Sequence, residues 1–293
     1  MKYLWVRVRG DRLLRRMLPG QTVVRSIQGV RLRLPRSHRL PEYAMLFPGY
    51  GQNLVDLAEV LAPAGRPLGF LDIGANVGDS TMQVLARVDA RVLCVEADPY
   101  WLSYLESNVG GDHRIIIEPV MLTPESASAG VSMRRRGGTT QFVPSPGSVP
   151  IRVRSPRELR RAGRVPRPLD LVKSDTDGYD PAIVAAVAEQ WCDETPTIFF
   201  EYDELLAAAA GNARPSDVWT GLARLGYETV CIWDNFGCAR EMIGIDRVKA
   251  LAARVSQSSK DHDYWDVAAL HRDRQADVDR VYEWWSGLDA RPF

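Results

Sequence analysis

The sequence predicts an α/β fold, a seven-stranded and mainly parallel sheet with helices on both faces, and three observations carry that expectation. From residue 69 onward, short apolar runs alternate with segments of helical periodicity. The runs are continuously apolar, as strands covered on both faces must be. Several of them end abruptly in acids or glycines, the pattern of strands leaving a core for a ligand site at their carboxyl ends.

Residues 1–65 read as a basic lead-in and 66–293 as the main domain. A basic helix is expected around 11–18, stopped by Pro19-Gly20. A hairpin of 22–27 and 30–34 turns at Gln28-Gly29, and a helix over 53–62 takes Asn53 as its N-cap. In the main domain the first strand spans 69–74 and is followed by a glycine turn and a helix over 79–87. The second strand is 91–97, and Pro99 opens a helix to 108 with Asp98 as its cap. The third strand is 114–122. Residues 126–168, rich in Arg, Gly, Pro and Ser, form an excursion with a hairpin turn at 137–140. Strands four to seven span 169–175, 197–202, 227–234 and 264–270. Helices are expected over 182–191, 216–225 and 272–288, with Asp180 as a cap before Pro181.

Composition narrows the function. With 45% apolar and 25% charged residues among 293, the chain is an ordinary globular one. Lys+Arg and Asp+Glu balance at 37 each, against a polycationic nucleic-acid binder. Residues 1–40 nevertheless carry eleven Lys or Arg against Asp11 alone, and 134–167 carry ten Arg against Glu158 alone. These read as solvated Arg-rich surface, the first also as a candidate cap or homodimer arm. The four cysteines form no CxxC pair, and Cys94 and Cys231 lie in apolar runs. No apolar run reaches the ~18 residues of a spanning helix, and the N-terminus has no uninterrupted apolar core, so a cytoplasmic protein without membrane insertion is expected.

The candidate site lies at the strand ends. The first strand runs into LDIGANVGDS, supplying Asp72, Gly74, Ala75, Asn76, Gly78, Asp79 and Ser80. Glycines let a ligand approach the backbone, and the following helix offers free N–H groups. The spacing is not the G-x-G-x-x-G of dinucleotide sites, and Asp72 would repel a pyrophosphate. S-adenosylmethionine, with an ammonium and a sulfonium, suits this acid better than a nicotinamide cofactor. The second strand ends at Glu96-Ala97, and Glu96, 24 residues after Asp72, is placed to accept both hydroxyls of a ribose. The fourth strand ends LDLVKSDTDGYD, delivering Lys173, Asp175, Asp177 and Tyr179. Glu201 ends the fifth strand and Asp234 the sixth. Asp175 is the candidate base, Lys173 a positioner kept charged by its neighbours, and Asp177 and Glu201 complete the catalytic set. The clustered carboxylates also admit Mg²⁺, with Asp175, Glu201 and Asp234 as ligands. Tyr179 and His262 are candidate substrate contacts.

These segments resemble the FkbM-type S-adenosylmethionine-dependent methyltransferases. LDIGANVGDS at 71–80, VEADP at 95–99, LDLVKSDTDGYD at 169–180 and IFFEYD at 198–203 carry the resemblance, with GVRLRLP at 29–35 as lead-in. The commoner form of the third motif is K-x-D-x-E-G-x-E, so Asp177 and Asp180 stand where glutamates are usual. The resemblance implies a Rossmann-like methyltransferase sheet with an antiparallel last strand. It also implies O-methylation of a hydroxyl on a small metabolite, sugar or glycan. The [DN]PP[YFW]-like tetrad usual for adenine or cytosine N-methylation is missing, which disfavours a nucleic-acid acceptor.

Overall fold

The computed structural model describes residues 15, 17–125, 131–144, 151–212, 214–258 and 264–289. The expected helix over 11–18 lies largely outside them. The chain opens on a hairpin of β1 (Thr22–Ile27) and β2 (Val30–Pro35), turning through Gln28 and Gly29 at φ of 45° and 90°. Helices α1 (Leu40–Leu46) and α2 (Gln52–Leu61) follow. Asn53 does not cap α2; Gly51 does, at φ 71°, which frees the Asn53 side chain for a distant partner described below.

The sheet begins with β3 (Leu68–Ile73), buried along its whole length as a central strand should be. Then come α3 (Asp79–Arg87), β4 (Ala90–Val95), α4 (Pro99–Val109) and β5 (Ile115–Glu118). The expected third strand is cut at Pro119, which has no N–H to give a ladder. Its remainder, β6 (Met121–Leu122), pairs instead with β9 (Val153–Arg154). Between them the hairpin of β7 (Val131–Arg136) and β8 (Thr139–Pro144) rises from the fold. Helix α5 (Pro156–Arg161) starts in a capping box of Ser155 and Glu158. The rest is β10 (Leu171–Ser174), α6 (Asp180–Gln190), β11 (Thr197–Tyr202), α7 (Glu204–Ala209), α8 (Asp217–Arg224), β12 (Tyr227–Asp234), β13 (Ala239–Gly244), α9 (Ile245–Ser258), β14 (Trp265–His271) and α10 (Gln275–Ser286).

The main sheet has eight strands, not seven, in the order β13-β12-β14-β11-β10-β3-β4-β5. The added strand is β13, which folds back on β12 as an antiparallel edge. β14 is antiparallel to both its neighbours, and apart from it and β13 the strands run parallel, so the α/β class and its inverted last strand are as expected. The order reverses between β3 and β10, and a ligand crevice forms outside the carboxyl ends of strands at such a switch point.

One face is sealed by α6, α8 and α9 through Val187, Trp191, Trp219, Leu222 and Val248, the other by α2, α3, α4 and α10 through Leu57, Val84, Leu105 and Val281. The β1–β2 hairpin contributes Ile27, Leu32 and Leu34 to a third cluster with Val77 and Trp101. Asn108 ties β2 to the turn after β3. Its Oδ1 accepts from Arg33 N, and its Nδ2 donates to the carbonyls of Arg33 and Val77. Cys94 and Cys231 are buried, as their apolar runs imply. Among the described residues no helix is long and apolar enough to cross a membrane.

Candidate functional site

The turn from β3 into α3 is held in a shape only its glycines allow. Gly74 has φ +75°, and a Cβ there would lie 1.9 Å from the Asp175 carbonyl oxygen. Asn76 and Gly78 are also left-handed, at 50° and 84°. A Cβ on Gly78 would meet Leu105 at 2.9 Å, so this glycine lets the start of α3 pack on α4. Gly74 N and Ala75 N both donate to the Val95 carbonyl, locking the turn to the end of β4.

Glu96, just beyond β4, is 7% exposed. One carboxylate oxygen accepts from Asn76 N at 2.8 Å and the other from Asp98 N at 2.7 Å. Burial pushes its pKa up to about 7 against the pull of these N–H groups. The Ala97 N–H also bonds the carboxylate, and the residue lines the cleft, where an acceptor pair suits a vicinal diol. Beside it Ile73, Val95, Val120, Leu122, Phe142 and Ile183 make an apolar slot. The cleft, counted with its open mouth and the solvent in it, encloses about 530 Å³. A buried carboxylate, a glycine turn and an apolar slot fit the ribose and adenine of S-adenosylmethionine.

The β7–β8 hairpin covers this cleft with Thr140 and Phe142. Its anchor is Asp98, fully buried as the N-cap of α4, in agreement with the expected cap. Asp98 accepts from Arg135 at 2.6 and 2.7 Å, from Thr140 Oγ1 at 2.6 Å and from Tyr100 N at 2.9 Å. Burial alone would raise its pKa, but the Arg135 and Thr140 bonds outweigh it and hold the group below the usual range. Trp101 Nε1 donates to Thr140 Oγ1, and Tyr179 Oη donates to the Phe142 carbonyl at 2.6 Å. Tyr179 therefore lines the cleft and helps hold the hairpin over it.

Asp72 is not a cleft residue. It is fully buried beneath the turn, where it accepts from Thr81 Oγ1 at 2.7 Å and pairs with Lys173 Nζ at 3.1 Å, its direct neighbour in register on β10. Lys173 also donates to the Gly74 carbonyl at 3.0 Å and lies 3.5 Å from Asp175. Burial would lower the Lys173 pKa, but Asp72, Asp175 and Asp79 together raise it, so it stays a cation. It braces the turn and the rim. Asp175 itself is half exposed and lines the cleft.

Around Asp175 the carboxyls crowd. Glu201 faces Asp266 across the β11–β14 register, a consequence of β14 running antiparallel and so starting at this rim. Burial, then Asp175 and Asp180, push Glu201 well above its ordinary range. Burial likewise raises Asp79 to about 6, Asp266 to about 7 and Asp177, at φ 52°, to about 8. Asp266 accepts from Asn53 Nδ2 at 2.8 Å, the partner for which Asn53 is free. Tyr50, from the segment before α2, and Tyr264 face the same group of acids. Sequence reasoning missed Asp266, Asn53, Tyr50 and Tyr264. Asp266 was readable as the polar residue near the start of an antiparallel last strand; the others have no local signal.

Three expectations need correction. Asp234 does not join the rim: its carboxylate holds its own turn, accepting from Phe236 N, Cys238 N and Arg240. The ligand set Asp175, Glu201 and Asp234 is thus not assembled, and among the described residues no group of three His, Cys, Asp or Glu is placed to hold a metal ion. Asp180 is in the first turn of α6 rather than at its cap, and accepts from Ser174, Thr176 and Gly178 to fix the loop after β10. His262 lies outside the described residues. Ser80 is half-buried behind the turn.

No protein-family model matches the chain, and no curated protein matches it. Among solved structures it is similar to a precorrin-6y C5,15-methyltransferase from Geobacter metallireducens, at 12% identity and TM-score 0.41, covering 77% of this chain and 98% of that one. A TehB-like SAM-dependent methyltransferase from Corynebacterium glutamicum gives 12% identity and TM-score 0.41 over 79% and 97% of the two chains. A methyltransferase FkbM from Methylobacillus flagellatus gives 14% and 0.35, over 53% of this chain and only 37% of that one. Likeness at this level leaves the activity to be argued from the site.

Proposed function

We propose that this chain is an S-adenosylmethionine-dependent O-methyltransferase acting on a hydroxyl of a small metabolite, sugar or glycan. The observation that carries the reading is Glu96, a buried carboxylate that lines the cleft between a glycine turn and an apolar slot. The bound cofactor would supply an electrophilic methyl group on a sulfonium.

The protein's part is alignment and proton removal. Glu96 holds the ribose hydroxyls, the slot from Ile73 to Ile183 takes the adenine, and the Phe142 side of the hairpin excludes water from it. Fixing the reacting atoms in line supplies up to roughly 7–11 kcal/mol in favourable cases. Asp175, open to the cleft and to solvent, accepts the proton of the acceptor hydroxyl. Lys173 cannot serve as the base because its three acidic neighbours keep it protonated. Glu201 and Asp266 flank Asp175, and burial makes both carboxyls resist ionising.

The test is calorimetric titration of S-adenosylhomocysteine into the purified protein. Micromolar binding is expected, weakened about tenfold or more in Glu96→Gln, which is at least ~1.4 kcal/mol. Asp175→Asn should keep the affinity within a few fold while methyl transfer to a panel of hydroxylated acceptors falls by roughly 10²–10⁴. Absence of binding to the wild-type protein at millimolar ligand would overturn the cofactor assignment. Full turnover in Asp175→Asn would overturn the base.

A further inference from the structure

His38, on the lead-in between β2 and α1, is 8% exposed and touches three parts of the cleft at once. Its Nδ1 accepts from the backbone N–H of Leu40 at 3.1 Å. That nitrogen therefore carries no proton, and the hydrogen of the neutral ring sits on Nε2. Nε2 is 3.3 Å from Asn76 Oδ1, so it donates to the cofactor turn. The amide is thereby oriented with its Nδ2 toward the hairpin, where it donates to the Gly138 carbonyl at 2.7 Å. The ring packs under Gly138 so closely that a Cβ there would lie 2.8 Å from it, and it meets the Trp101 ring edge-on at 5.3 Å.

Asn76 is thus gripped on three sides, by His38 and Gly138 through its side chain and by Glu96 through its backbone N–H. It needs that grip, since it holds a left-handed φ of 50° in the turn that faces the ligand. The same N–H is what aims one oxygen of Glu96. A change at His38 therefore reaches the diol acceptor through one intermediate residue.

We infer that His38 is a positioning residue for the cofactor site: its Nε2–H sets the Asn76 amide, which fixes both the Glu96 carboxylate and the tip of the covering hairpin. This rests on the cofactor reading above, and it gives the lead-in, expected as a cap or dimer arm, a named residue at the main domain's site.

Two substitutions of similar bulk separate donation from packing. His38→Gln keeps a side-chain N–H able to reach Asn76, whereas His38→Leu fills the space without one. S-adenosylhomocysteine affinity should fall about tenfold in His38→Leu and return to within about threefold of wild type in His38→Gln. Both variants should unfold at similar temperatures. Hydrogen exchange in the ligand-free protein reads the same contact without any cofactor: segments 74–78 and 137–140 should exchange faster in His38→Leu than in His38→Gln. Equal affinities and equal exchange in the two variants would overturn the inference. If the wild-type protein binds no S-adenosylhomocysteine, the cofactor reading fails, and the exchange comparison still decides whether His38 orders the turn and the hairpin.

Discussion

At Gly74 a left-handed backbone and the carbonyl of Asp175 leave no room for a side chain, and the two constraints can be separated by experiment. Alanine in the left-handed region costs roughly 1–2 kcal/mol wherever it occurs. At Gly65 that is the whole cost: φ is +81° and an added Cβ would meet nothing within 4 Å. At Gly74 the Cβ would overlap backbone at 1.9 Å, so the turn or the end of β10 must move. Gly65→Ala should lower the thermal midpoint by a few degrees and leave S-adenosylhomocysteine affinity unchanged. Gly74→Ala should lower the midpoint further and weaken binding by more than about tenfold. Calorimetry and a thermal melt on both proteins check this. Intact binding in Gly74→Ala would mean that the turn does not face the ligand.

Among the elements, the β7–β8 hairpin depends most on a single charge. Asp98 is fully buried, and Arg135, although 43% exposed, supplies its only ion pair among the described residues. Arg135→Ala leaves the carboxylate with Thr140 Oγ1 and Tyr100 N as donors and exposes the Tyr100 face over which the guanidinium sits at 5.1 Å. Leaving a buried acceptor short costs about 1–3 kcal/mol, less here because Arg135 is partly solvated. Limited proteolysis should therefore cut the hairpin faster in Arg135→Ala while the sheet stays folded. An unchanged cleavage rate would show that Thr140 and Trp101 suffice. The sequence exposed Asp98 as a cap because Pro99 follows it, yet the pairing with Arg135, 37 positions away, has no local trace. The same division runs through the fold. Strands β3, β4, β11 and β12 were legible within a few residues because a strand covered on both faces is apolar throughout. Strand β13, AREMIG, was missed because an edge strand is mostly half-buried and its mixed run reads like surface. Glu96 and Asp175 were singled out because each lies where a strand's apolar run gives way to polar residues, and both line the cleft. Asp72 was misplaced for a related reason: one residue before a strand's end, the side chain still points into the core, toward Thr81 and Lys173 rather than the ligand.

Across the whole molecule, the site stores carboxyls that resist ionising, and this couples folding to pH. Burial is the largest cause in each case, holding Asp79 at about 6, Glu96 and Asp266 at about 7 and Asp177 at about 8. In the unfolded chain all four ionise near 4. Between those limits the folded protein binds more protons than the unfolded chain, so stability falls as pH rises through the window. His38 works the other way: burial lowers it to about 4, so the unfolded chain binds the extra proton between about 4 and 6.5, and stability rises with pH there. The acids held low by arginines, such as Asp98 and Asp170, titrate below that window. The carboxyls therefore act unopposed above pH 6.5. The thermal midpoint of the ligand-free protein should fall between pH 6.5 and 8, at about 2–4 °C per kcal/mol for a chain of this size. Asp177→Asn removes the carboxyl held at about 8 and should flatten the upper part of that fall. Saturating S-adenosylhomocysteine should reduce it too, because two ribose hydroxyls donating to Glu96 favour the charged form. A midpoint that stays level or rises over this interval would mean that water reaches these carboxyls in the folded state, and that the cleft is more open than its apolar walls and hairpin cover imply.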